Sequence, residues 1–407
     1  MLREIGVGDA SYRISRIALM NRIYLDNAAT SWPKPEAVYD AVNDWQRRVG
    51  ASYARGTSAA ADETRSIVDR ARRGVARLLG ESDPRRVVLT SGGTDSLNLA
   101  IFGLVRPGDH VVATVCEHNA VLRPLQQLGE SHGVETTWVG CDARGVVDAD
   151  EVIAAIRPET RLVVMIHASN VTGAIQPVVQ VAKATKARGL RLLVDAAQSI
   201  GRVPIDVKQL GADLIAAPGH KGLLGPLGTG VLWLGPGVER DLRPLHYGGA
   251  ASGGERLEMP DAVPDRYEAG SLNVPGVAGL AAGVDHVLDT GVETIRQQIA
   301  TSRQRLAEGL AAIDGVTIYG PSDPALQAGV VSFSVEGYDP HELASLLASV
   351  AGVECRAGLH CVPRLHQALG TDARGGLVRF SPGVTTSDSD LDAAVEAVRQ
   401  FAQSPLT

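Results

Sequence analysis

A chain of 407 residues, 44% hydrophobic and 21% charged, is long enough to bury a large core and to divide into two or three units. Its net charge of −7 and aromatic content of only 4% argue against a phosphate-backbone partner and against base-stacking platforms. No apolar run approaches the roughly 20 residues that a membrane-spanning helix needs.

Residues 1–20 mix Arg3, Glu4, Asp9, Arg13 and Arg16 with scattered apolar positions and lack the continuous apolar stretch of a signal peptide. They are expected to be a disordered tail. From about residue 36 the chain alternates β-branched runs with helical patterns. Strands are expected at Arg86–Thr90, His110–Val115, Glu135–Gly140, Arg161–His167, Leu190–Asp195, Asp213–Ala217 and Gly230–Leu234. Amphipathic segments such as Asp62–Leu79, Ser96–Val105 and Val178–Arg188 lie between them. Continuous apolar strands separated by helix-length segments predict an α/β domain, 36–283, built on a mostly parallel sheet covered on both faces.

A Gly- and Pro-rich stretch from about Pro236 to Pro275 reads as loop. One long helix is expected at roughly Val284–Ile313. Strands near Val316–Tyr319, Val330–Ser334, Val353–Arg356 and Leu377–Phe380 follow, with helices at His341–Ala351 and from about Ser387. These belong to a smaller α+β domain, 284–407, joined by residues 21–35.

Several strand ends carry reactive side chains, and in an open α/β sheet the carboxyl ends face the ligand crevice. Ser91–Gly92–Gly93–Thr94–Asp95 follows a strand and opens a helix, which suits a plain turn or a phosphate held by backbone N–H groups and the Thr94 hydroxyl. Asp195 ends a buried strand, either as a helix cap or as a carboxylate that keeps a pyridine nitrogen protonated. One crossover later, Lys221 sits in the Gly-rich turn Ala217–Pro218–Gly219–His220–Lys221–Gly222. There burial would lower its amine pKa and favour a Schiff base. His118, in Cys116–Glu117–His118–Asn119, and Asn170 end two further strands. The four cysteines, Cys116, Cys141, Cys355 and Cys361, form no Cys-x-x-Cys pair. They fit reduced thiols in a cytoplasmic enzyme better than a disulfide framework or a metal site.

From about Ile23 to Phe401 the sequence resembles the class V aminotransferase family, in its cysteine desulfurase and selenocysteine lyase branch. The resemblance rests on Tyr24–Leu25–Asp26–Asn27–Ala28–Ala29–Thr30, on Arg55–Gly56 and on the motifs above. It extends to Glu268–Ala269–Gly270–Ser271–Leu272–Asn273 and Arg356–Ala357–Gly358–Leu359–His360–Cys361. It implies the type I fold of pyridoxal-phosphate (PLP) transferases and a homodimer with active sites at the subunit interface. Lys221 is then the Schiff-base lysine, Asp195 pairs with the pyridine nitrogen, His118 stacks on the ring and Gln198 bonds its hydroxyl. Gly93, Thr94, His220 and, from the second copy, Ser271 would hold the phosphate. Arg379, with Asn170 and Arg356, would bind the substrate carboxylate, since an arginine fork matches that group.

Cys361 decides the reaction class that the resemblance implies, because its thiolate would take sulfur from L-cysteine as a persulfide and leave L-alanine. Its loop looks short, as in the branch whose members pass persulfide to a partner protein. Two positions depart from the family pattern. Pro218 stands where relatives usually carry a Ser or Thr hydroxyl, and Leu359 where a second histidine is common. Selenocysteine lyase is the nearest alternative. A PLP C–S lyase or transaminase that does not need Cys361 is another, and a non-catalytic scaffold is the most distant.

Overall fold

The computed structural model describes residues 22–53, 56–249 and 252–403; the expected tail and Arg55 lie outside these ranges. The described chain opens with strand β1 (Ile23–Tyr24) and then builds a seven-stranded sheet. That sheet comprises β2 (Val87–Thr90), β3 (His110–Thr114), β4 (Glu135–Val139), β5 (Thr160–Ile166), β6 (Arg191–Asp195), β7 (Leu214–Pro218) and β8 (Gly230–Leu234). Its order is β2-β8-β7-β6-β5-β3-β4. The five strands from β7 to β4 run parallel, while β8 is antiparallel to both neighbours.

Two apolar layers explain why the central strands are largely apolar. Along β5, Val163 and Met165 pack against helices Ala59–Leu78, Val178–Ala187 and Val274–Thr290 on one face. Leu162 and Val164 pack against helices Gly93–Leu104 and Asn119–His132 on the other. Side chains alternate between faces with period two, and both faces are covered.

The second unit has its own core. Strands β9 (Val316–Tyr319), β10 (Val331–Val335), β11 (Val353–Glu354), β12 (Arg356–Gly358) and β13 (Leu377–Phe380) complete the set. Four of them form an antiparallel sheet in the order β12-β13-β10-β9, while β11 pairs with β1. Phe333 and Phe380 meet edge to face, 4.9 Å apart, over Leu306, Leu310, Leu343, Leu347 and Leu391. Leu25, just after β1, is buried in this core.

Two expectations need correction. The single helix at Val284–Ile313 is instead two, Val274–Thr290 and Val292–Ala311, parted at Gly291, whose φ of 85° no helix accommodates. The strand expected at Val353–Arg356 divides at Cys355, because Val353 and Glu354 pair with β1 while Arg356 turns to pair with Arg379. Among the described residues of 241–273 there is neither helix nor strand. That loop is anchored by Glu268, whose carboxylate accepts from Arg72 (2.6 and 2.5 Å) and from the Leu89 N–H (2.6 Å) in a buried cluster. No helix among the described residues is long and apolar enough to cross a membrane.

Candidate active site

The carboxyl ends of β3, β5, β6 and β7, the start of helix Gly93–Leu104 and the β12–β13 edge enclose a cavity of about 380 Å³. Gly93, Thr94, His118, Asn170, Asp195, Gln198, His220, Lys221, Arg356, Cys361 and Arg379 all line it, together with His360. Of the candidate cofactor, substrate and catalytic residues named from sequence, Ser271 lies elsewhere. It is exposed and lines separate hollows beside Tyr53, Glu268 and Leu272.

Lys221 owes its place to close backbone packing. A Cβ on Gly222 would lie 2.0 Å from the Ile200 carbonyl oxygen, and one on Gly219 would lie 2.2 Å from Thr229 Oγ1. Only glycine fits at these positions. The turn is further fixed by Gly219 N–H donating to Thr229 O (2.8 Å) and Ser31 N–H donating to His220 O (3.0 Å). Burial pulls the Lys221 amine down to about 8; Asp195 opposes that shift, while Arg379, Arg202 and Arg356 add to it. Asp195, buried at the end of β6, accepts from the Ala197 N–H at 2.9 Å. Burial raises its carboxyl pKa against the pull of that bond and of Lys221.

His118 caps helix Asn119–His132, its Nδ1 accepting from the Ala120 N–H at 3.0 Å. That bond assigns the proton of the neutral ring to Nε2. Burial, reinforced by Lys221, holds the ring at about 4. His118 is therefore a neutral donor.

Arg379 is almost wholly buried. It donates from Nη2 to Asp26 Oδ1 (2.7 Å) and from Nη1 to the Asn170 carbonyl (2.9 Å), leaving Nε without a partner among the described residues. Asp26 also accepts from Arg356 Nε at 3.1 Å. Sequence reasoning quoted Asp26 within a motif but gave it no role; here it orients both arginines. Glu117 was likewise unassigned. It is fully buried, accepting from Thr114 Oγ1 (2.7 Å) and the Ile166 N–H (3.0 Å), and burial raises its carboxyl to about 8. Glu117 thus ties the end of β3 to that of β5, where Ile166 is the ladder partner of Asp195.

Cys361 is exposed at the rim, and both it and His360 adopt left-handed backbone (φ 60° and 49°), unusual for non-glycine residues. The strain is held by Asn119 N–H to Cys361 O (2.8 Å) and Asn170 Nδ2 to His360 O (2.8 Å). The His360 ring is buried and stacks on His366.

The model of the family described as aminotransferase class V matches residues 23–394. The chain belongs to the class V aminotransferase family. Within it, cysteine desulfurases are its relatives. That of Haloferax volcanii is 33% identical, the match covering 92% of this chain and 88% of that one. That of Pectobacterium atrosepticum is 31% identical over 93% and 92%. Among solved structures, the apo cysteine desulfurase of Thermococcus onnurineus superposes with a TM-score of 0.87 at 32% identity, covering 94% of this chain and 95% of that one. The cysteine desulfurase CsdA of Escherichia coli, in an S-sulfonic acid form, gives 0.85 at 28% identity over 98% and 100%. The expected type I fold and the cysteine desulfurase branch are thereby borne out.

Proposed function

We propose that this family member is a PLP-dependent cysteine desulfurase that converts L-cysteine to L-alanine and takes the sulfur onto Cys361. The observation that carries this reading is one cavity lined by Lys221, Asp195, Arg379 and the exposed Cys361. Its residues fit PLP. Gln198 Oε1 and Asn170 Oδ1 are buried without partners, and helix Gly93–Leu104 starts at Gly92 with no side-chain cap, leaving its first N–H groups for a phosphate. Lys221, Asp195, His118 and Gln198 would hold the ring, and Gly93, Thr94 and His220 the phosphate. When bound, PLP supplies an electron sink for chemistry at the substrate's α and β carbons.

The chain's own groups do the rest. Arg379, held by Asp26 and the Asn170 carbonyl, would bind the substrate carboxylate, with Asn170 and Arg356 beside it. The Cys361 thiolate takes the substrate sulfur. One S–S bond forms, the substrate's Cβ–S bond breaks, and its electron pair stays with carbon, which is protonated to the alanine methyl group. Lys221 suits that proton transfer, since its amine titrates near neutral pH. His118 does not, because its neutral ring could release the Nε2 proton only by becoming an imidazolate anion.

Exposure of Ser271 away from its own chain's cavity supports a homodimer in which it serves the second copy. The exposed Cys361 supports transfer to a partner protein. Four free thiols support a cytoplasmic setting. The test is product analysis with L-cysteine, wild type against Cys361→Ser. Alanine and protein-bound persulfide should both fall at least roughly 100-fold in the variant. Unchanged alanine formation would overturn the persulfide mechanism.

A further inference from the structure

Cys116 and Cys141 lie on neighbouring strand ends beside the cavity, and the mechanism uses neither. Thr114 and Val139 are partners in the parallel β3–β4 ladder, and each cysteine follows two residues later. Val115 N–H donates to Val139 O at 2.9 Å and closes that last rung, after which Val115 and Cys116 form a turn beside the end of β4. Adjacent strands run about 4.8 Å apart, within the Cα separation of about 4.4–6.8 Å that a disulfide spans. The two thiols already hydrogen-bond each other.

The pair is chemically unequal. Cys116 is fully buried, and its Sγ also donates to the Gly145 carbonyl at 3.6 Å. Its bond to Cys141, together with burial, holds its thiol protonated. Cys141 is only half-buried, and the same bond lowers its pKa. The more accessible member is thus the better thiolate, which is the form that oxidants attack.

We propose that Cys116 and Cys141 form an oxidisable dithiol, a modification site closed to a disulfide by hydrogen peroxide, and that closure slows turnover at the neighbouring cavity. The Cys141 thiolate attacks the peroxide, forming an S–O bond as the O–O bond breaks and hydroxide leaves. The Cys116 sulfur then displaces the hydroxyl from that sulfenic acid. An S–S bond forms, the S–O bond breaks, and water departs with the Cys116 proton. Two thiols are oxidised and one peroxide is reduced to two waters.

Closure reaches the site through the backbone. A disulfide holds its sulfurs about 2 Å apart, closer than hydrogen-bonded thiols sit, so the segment after β3 is drawn toward β4. That segment carries Glu117, His118 and Asn119, whose N–H braces the Cys361 carbonyl. The effect on turnover rests on the desulfurase reading; formation of the bond does not.

The experiment treats the full-length holoenzyme with hydrogen peroxide, blocks the remaining thiols and maps cysteine-linked peptides by mass. A Cys116–Cys141 link should form in wild type and in Cys361→Ser, and be absent in Cys141→Ser and Cys141→Ala. Peroxide also oxidises the exposed Cys361, so treated Cys141→Ser reports that loss alone. Treated wild type should fall a further roughly 10- to 100-fold, the scale of a sub-ångström to 1 Å misplacement, and dithiothreitol should restore that part. The proposal is overturned if both thiols survive a dose that oxidises Cys361, or if linked wild type turns over as fast as treated Cys141→Ser. If untreated wild type never forms alanine, the desulfurase reading fails while the peptide map still decides the bond.

Discussion

The turn bearing Lys221 and the loop bearing Cys361 face one cavity but are built in opposite ways. Around Lys221, glycines let backbones approach so closely that no Cβ could be added, and β7 anchors the turn in the main sheet. Around Cys361, the chain leaves the edge of the small sheet, exposes its thiol and depends on two braces from the large domain, Asn119 and Asn170. A lysine that anchors a cofactor needs one fixed position. A cysteine that collects sulfur and hands it on must stay reachable from outside. Under the proposed function, the difference in packing matches that division of labour.

The comparison is broken most sharply at Lys221. Lys221→Ala should remove the absorbance of bound PLP near 420 nm and cut alanine formation by roughly 1,000-fold or more. Cys361→Ser should keep that band, so a variant set in which both bands vanish would show that the two regions are not separable. A smaller effect concerns pH. The amine near 8 is about one-tenth unprotonated at pH 7, far more than an ordinary lysine. PLP capture by the apo-protein, followed by absorbance, should therefore quicken about tenfold per pH unit below 8 and level off above it. Asp195 is the group holding that value up, so Asp195→Asn should move the midpoint to lower pH. The smallest effect lies at Pro218, which lines the cavity without N–H or hydroxyl. Pro218→Ser should tighten PLP by about fivefold, the worth of one hydrogen bond of about 1 kcal/mol, measured by equilibrium titration.

Much of this was legible in the sequence, and what escaped has a common cause. Strands β8, β9 and β13 match their expected bounds because an apolar run flanked by glycine or charge leaves little choice. Lys221, Asp195 and His118 could be placed together because each closes a strand, and strand ends share an edge. Gly291 was passed over since the apolar pattern runs unbroken across it, and only its backbone conformation shows the break. Asp26 and Arg379 are far apart in the chain, so no local pattern reveals their ion pair. The same holds for Glu117, whose partners are a neighbouring threonine and the backbone of another strand.

One consequence follows from Glu268. Its carboxylate fastens the loop of Ser271 to Arg72 and to the edge strand β2, and removing one member of a buried ion pair typically costs about 3–5 kcal/mol. If that loop completes the neighbour's phosphate cradle, a lesson for genetics is contained in one chain's interior. Damage at Glu268 becomes a fault exported across the interface, and mixed dimers of a Glu268 mutant with a Lys221 mutant would gather both faults in one pocket and leave the other with a blameless lysine and a sound loop from its companion.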